Sequence, residues 1–133
     1  QLSGAGGLHL GQDDLPVDAA RRIMGSDALI GLSIHPQRQL EVALSEPISY
    51  VAVGPDFETH SKMAPDAVVG LELIAQAAAR AEGLPVIGIG GITVERARDV
   101  IDAGATSVAV ISDLLTGGNP ERRVAEFLAV LSR

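Results

Sequence analysis

The residues able to do chemistry in this 133-residue chain stand in short clusters, each directly behind an apolar run. The densest follows Tyr50-Val51-Ala52-Val53, where Gly54-Pro55 lead to Thr59, His60, Ser61 and Lys62. Two hydroxyl donors beside a compact positive charge suit an anion, phosphate above all. A solvated polar loop would have the same composition, and Asp56 and Glu58 in this stretch oppose a purely phosphate-lined surface. A second cluster is Gly11-Gln12-Asp13-Asp14. Paired carboxylates offer the hard oxygen donors that Mg²⁺ takes together with waters and substrate phosphates, and they also complement the start of a helix. Ser33, before Ile34-His35, can donate to a phosphate oxygen or cap a helix beginning at Pro36. Gly90-Gly91 lets backbone N–H groups approach an anion at a helix start, although a tight turn asks for the same pair. Ile111-Ser112 closes the last apolar run, and His9 and His35 read either as hydrogen-bonded structural groups or as bases.

Five apolar segments must position these clusters: Gly7-Leu10, Ala28-Ser33, Ser49-Val53, Pro85-Ile89 and Ser107-Ile111. Near-continuous apolar runs of this length are expected of parallel strands buried on both faces. Helical patterns alternate with them. Pro16-Val17-Asp18 opens the first, Pro36 stands near the start of the second, and the third covers about Val68 to Glu82 and stops at Gly83. Thr93 is expected to cap the fourth, and Asn119-Pro120-Glu121 starts the fifth with Pro at a favourable first position. The pattern predicts an α/β protein with a parallel sheet, in one domain over residues 1–133. Strands begin at 7, 28, 49, 85 and 107, so three units take 21 or 22 residues and the third takes 36. The excess lies between Gly54 and about Pro65, in the Thr59–Lys62 loop. Ligands of parallel sheets bind at the carboxyl ends of strands, so extra length there points to function. Rhythm alone fits both a portion of a TIM barrel and a five-stranded doubly wound sheet.

Composition narrows the partners. Net charge is −7, which disfavours a nucleic-acid backbone. No cysteine is present, which removes disulfides, thiolate metal sites and cysteine nucleophiles. No apolar stretch approaches the roughly 20 residues of a membrane span, and no signal peptide is visible, so the cytoplasm is the expected compartment.

Taken in order, the motifs at residues 7–16 (GLHLGQDDLP), 30–35 (IGLSIH), 50–62 (YVAVGPDFETHSK), 88–93 (GIGGIT) and 103–112 (AGATSVAVIS) resemble the thiamine phosphate synthase family over essentially the whole chain. The resemblance implies a (β/α)₈ TIM barrel, with this chain similar to strands four to eight. It also implies Mg²⁺-dependent transfer of a hydroxymethylpyrimidine group from its diphosphate to a thiazole phosphate, with loss of pyrophosphate. By the same resemblance Asp14 is a Mg²⁺ ligand, and Ser33 and Lys62 bind the pyrimidine diphosphate and serve catalysis. Thr59, His60, Ser61, Gly91, Ile111 and Ser112 hold the thiazole phosphate.

The chain departs from the family pattern ahead of its first motif, and at Asp56 and Glu58, where the family usually has an apolar residue and Pro or a small residue. The family's Gln/Arg/Lys segment and Asn-Asp pair, expected ahead of the residue 7–16 motif, have no counterpart, so either the chain is part of a longer protein or a complementing N-terminal segment, another chain or a homo-oligomer supplies that wall. The Phe57-Glu58-Thr59 stretch also occurs in thiazole tautomerases, which place His where Pro55 stands here. The alternatives are thus a tautomerase-like enzyme or a phosphate-binding barrel portion without catalysis.

Overall fold

In the computed structural model, which describes residues 3–34, 37–54 and 65–132, strands and helices alternate along the chain. The strands are β1 (Gly7–Leu10), β2 (Leu29–Ile34), β3 (Tyr50–Val53), β4 (Val86–Ile89) and β5 (Ser107–Ala109). The helices are α1 (Val17–Met24), α2 (Gln37–Ser45), α3 (Pro65–Arg80), α4 (Val94–Asp102) and α5 (Pro120–Leu131), with a kinked 3-10 segment, Ser112–Gly118, before α5. All neighbouring strands pair in parallel, in the order β1-β2-β3-β4-β5. A five-stranded parallel α/β sheet is thus present as expected. Its sequential order has no reversal of the kind that makes the crevice of a doubly wound sheet.

Register partners in a parallel sheet share a face, so the pairing sorts the side chains. One face carries Leu10, Ile30, Ile34, Val51, Val53 and Val86, all buried. The helices pack there through Val17 and Ala20 of α1, Leu40 and Ala43 of α2, Ile74 and Ala77 of α3, Ala97 and Val100 of α4, and Phe127 of α5. Each large aliphatic side chain so buried contributes about 1.5–3 kcal/mol. Alanine and glycine at the contacts let helix backbones come close; a Cβ on Gly88 would stand 2.4 Å from Val100. The opposite face carries His9, Gly31, Ser33, Tyr50, Ala52, Ile87 and Ala109, and none of these belongs to the two helix-packed clusters.

Local chemistry explains several boundaries. Helix α3 begins at Pro65, ahead of the expected Val68, because proline suits the first helical position even before the apolar periodicity starts. It ends at Arg80, and a turn through Glu82 (φ 46°) and Gly83 (φ 94°) follows. Asn119 caps α5 as expected, its Oδ1 accepting from Arg122 N–H at 3.0 Å. Thr93 occupies the N-cap position of α4, yet its side chain makes no capping bond; the Val94 N–H goes to Asp113 instead, at 3.2 Å. Strand β5 stops at Ala109, short of Ile111, which is 75% exposed and begins the turn into the 3-10 segment. On the amino-end edge of the sheet, Arg21 donates to the carbonyls of Ser26 and Pro47, tying α1 to the loops before β2 and β3. Among the described residues no helix is long and apolar enough to cross a membrane.

Candidate active site

Because the strands are parallel, their carboxyl ends share one edge of the sheet. The β1–α1 turn with Asp14, the end of β2 with Ser33, Gly54 after β3, Gly90-Gly91 after β4 and Ile111-Ser112 after β5 all lie there. Five of the residues named from sequence (Asp14, Ser33, Gly91, Ile111 and Ser112) are therefore brought to one rim. Thr59, His60, Ser61 and Lys62 lie outside the described residues, as do His35, Pro36, Asp56 and Glu58.

The β1–α1 turn is closed by its own side chain. Asp14 Oδ2 accepts the Gly11 N–H at 2.7 Å, while Gln12 Nε2 donates to the Ser33 carbonyl at 2.6 Å and joins the turn to β2. Asp14 precedes α1, and the acid in the helix's first turn is Asp18, so the helix-dipole reading belongs to Asp18. The Asp14 side chain is exposed, and only Oδ2 of its carboxylate is used in closing the turn among the described residues. That donor set fits Mg²⁺, which typically takes one or two carboxylates and fills its shell with waters and substrate oxygens. Among the described residues no three acidic or histidine side chains converge on a metal position.

Ser33 lies within β2, ahead of α2. Its Oγ stands 2.8 Å from His9 Nε2, and His9 Nδ1 stands 2.9 Å from the Tyr50 hydroxyl. The imidazole and phenol rings stack, with centroids 5.6 Å apart and planes at 21°. In register, His9 pairs with Gly31 and Gly31 with Tyr50, so the three occupy one row across β1, β2 and β3. Tyr50 crosses the middle strand because Gly31 has no side chain: a Cβ there would lie 2.0 Å from Tyr50 Cζ. Sequence reasoning named Ser33 and left His9 open, but missed Tyr50. The available signal was a period-two match, since residues 9, 31, 33 and 50 share a face once the strands are registered.

The β4–α4 turn runs through Gly90 (φ 100°) and Gly91 (φ 56°), a backbone conformation that side chains other than glycine rarely adopt. It leads into the amino end of α4, where N–H groups favour anions. Asp113 anchors that end. Its Oδ2 accepts from Val94 N–H, from Arg123 Nε at 2.9 Å and from Arg123 Nη2 at 2.7 Å. Arg123 also meets Glu126 at 2.9 Å and Glu95 at 3.7 Å. The Arg123 and Arg122 guanidiniums hold the Glu126 carboxyl below the usual range, while the Thr93 hydroxyl does most to lower Glu95. Arg123 itself is pushed above its ordinary value, first by Glu126 and then by Asp113.

This arrangement is that of a parallel α/β protein whose candidate site residues gather at the carboxyl ends of its strands. The family model described as "Thiamine monophosphate synthase" matches residues 1–114, and the chain belongs to that family. It is similar to the thiamine-phosphate synthases of Koribacter versatilis, at 46% identity over 97% of this chain and 60% of that protein, and of Salinibacter ruber, at 43% over 98% and 57%. Among solved structures, thiamine phosphate pyrophosphorylase from Pyrococcus furiosus superposes with a TM-score of 0.80 at 28% identity, covering 96% of this chain and 60% of that one. Phosphoribosyl anthranilate isomerase from Thermococcus kodakaraensis, with a TM-score of 0.73 and 18% identity over 96% of this chain and 64% of that one, shares the TIM-barrel-like fold. The chain spans about 60% of the length of these relatives.

Proposed function

We propose that the protein is, or is part of, a Mg²⁺-dependent thiamine phosphate synthase acting in the cytoplasm on small phosphorylated substrates. The observation that carries this reading is the gathering of Asp14, Ser33, Gly90-Gly91 and Ile111-Ser112 on one sheet edge in a member of the family. In the reaction the bond between the pyrimidine methylene carbon and the diphosphate oxygen breaks, with its electron pair leaving on pyrophosphate. The thiazole ring nitrogen then supplies the pair for the new carbon–nitrogen bond.

The residues have separate tasks. Ser33 donates to a diphosphate oxygen, and Lys62 sets its positive charge against the negative charge that develops on the leaving group. Thr59, His60 and Ser61, with the Gly91 and Ile111-Ser112 turns, hold the thiazole phosphate so that its ring nitrogen faces the methylene carbon. Asp14 would hold Mg²⁺, which when bound neutralises charge on the diphosphate.

We further propose that the five strands correspond to strands four to eight of the barrel, in one partial domain. The sequential strand order supports this, as does a 60% share of relatives' length, close to five strands in eight. A complementing N-terminal segment or a second copy of the chain would complete the wall. The test is to supply both substrates with Mg²⁺ and measure thiamine phosphate and pyrophosphate, with and without the N-terminal part of a relative added in trans. Product formed in equal amounts with one pyrophosphate supports the reading. Metal-independent isomerisation of a thiazole carboxylate phosphate without coupling would replace it by the tautomerase. Ligand binding without turnover under every condition would leave a binding protein.

A further inference from the structure

We propose that Tyr50 is a positioning residue which, acting through His9, turns the Ser33 hydroxyl proton outward to an anionic oxygen at the end of β2. The proposal rests on the reading of this edge as a diphosphate site, and deepens it. Its basis is the chain of contacts Tyr50 Oη–His9 Nδ1 (2.9 Å) and His9 Nε2–Ser33 Oγ (2.8 Å), carried by the row His9–Gly31–Tyr50.

A neutral imidazole has one N–H and one acceptor nitrogen, so its two contacts are mutually exclusive in sense. If Nδ1 accepts from the tyrosine, Nε2–H must donate to Ser33 Oγ, and the serine proton is left free to donate elsewhere. If instead Nδ1–H donates to the tyrosine, Ser33 gives its proton to Nε2 and turns lone pairs toward the ligand, which repels an anion. A phenol is a more acidic donor than an alkyl hydroxyl, so Tyr50 wins the acceptor nitrogen and fixes the first arrangement. The Ser33 carbonyl is meanwhile held by Gln12, which fixes the backbone that carries the hydroxyl. Gly31 gives the tyrosine ring its path over β2.

The experiment is side-chain ¹⁵N NMR of His9, assigned with His9→Asn, in the wild type, Tyr50→Phe and Ser33→Ala, together with titration of inorganic pyrophosphate in the presence of Mg²⁺. The wild type is expected to carry the His9 proton on Nε2, and Tyr50→Phe to shift it toward Nδ1. Pyrophosphate affinity should fall between roughly tenfold and a hundredfold in Tyr50→Phe, the scale of one hydrogen bond to a charged group. The double variant with Ser33→Ala should bind no more weakly than Ser33→Ala alone. Tyr50→Phe keeps the ring, and the tautomer signal reports on a folded protein. An unchanged tautomer in Tyr50→Phe, additive losses in the double variant, or a wild type that binds no pyrophosphate would each overturn the proposal. If the tautomer shift and the affinity loss both hold while no thiamine phosphate forms from the two substrates, it is the reading of the reaction that fails.

Discussion

Tyr50 lies across Gly31, with Cζ 2.0 Å from where a Cβ on that glycine would stand. No rotation of a methyl group relieves such a contact, so Gly31→Ala must push the phenol off the sheet and away from His9. We expect a loss of about 1–3 kcal/mol, the usual cost of overpacking, read from the urea midpoint. Because the clash is with one ring, Tyr50→Ala should absorb most of it. The double variant is expected to lose less than the two single losses combined, and strict additivity would mean that the ring does not occupy that space.

The same relationship marks what could be read in advance. Each of the five strands announces itself locally, as in Val51-Ala52-Val53, and the Gly90-Gly91 turn and the Asn119-Pro120 start of α5 are equally local. Their positions followed from periodicity and from residues with restricted backbones. The row His9–Gly31–Tyr50 is different, since its members are 22 and 19 residues apart and meet only through strand register. Asp113 likewise takes over the cap expected of Thr93 from 19 residues away. Ile111 is apolar and by pattern extends β5, but it is mostly exposed and lies past the last strand pairing.

Asp113 is the joint between the β4–α4 turn and α5. Asp113→Ala removes the acceptor for Val94 N–H and leaves Arg123, which is 18% exposed, without its shortest ion pair. We expect a loss of about 1–3 kcal/mol in the urea midpoint, as for a part-buried donor that loses its partner. Faster amide exchange at the start of α4 should accompany it. Exchange faster only in α5 would show that Asp113 serves Arg123 alone.

Acid should loosen this same joint. Glu126, through Arg123 and Arg122, and Glu95, mainly through Thr93, both have folded-state values below the ordinary 4.5. The unfolded chain therefore takes up protons first as pH falls, and the stability these groups contribute above 4.5 is lost as pH drops through their folded values. Arg123 is shifted the other way, above its ordinary value, so its charge is constant over the acid and neutral range. The Tm should be level between about pH 6 and 8 and fall below about pH 5. Arg123→Gln should lower the Tm at pH 7 and make the acid limb shallower. A limb of undiminished slope would assign the acid loss to other carboxylates, such as Asp18, which Arg22 lowers.

At Asp14 a structural role and the proposed metal role can be told apart within one side chain. Its Oδ2 accepts the Gly11 N–H at 2.7 Å, and an asparagine oxygen can accept the same bond while carrying no charge. Asp14→Asn should therefore change stability by no more than about 0.5 kcal/mol, as expected of an exposed site with its hydrogen bond kept. Synthase activity should fall by about a hundredfold or more if the charge is needed to hold Mg²⁺, and raising Mg²⁺ should recover part of it. Chelation should abolish wild-type activity, and restored Mg²⁺ should return it. Lys62→Ala should also cut the rate severely, but without any recovery by Mg²⁺, because the role proposed for it rests on its own charge and not on holding a metal. Full activity in both variants would remove Asp14 and Lys62 from the site. Equal loss with no Mg²⁺ response in either would mean that Asp14 acts by shaping the Gly11 turn and through it the Gln12 bond to Ser33.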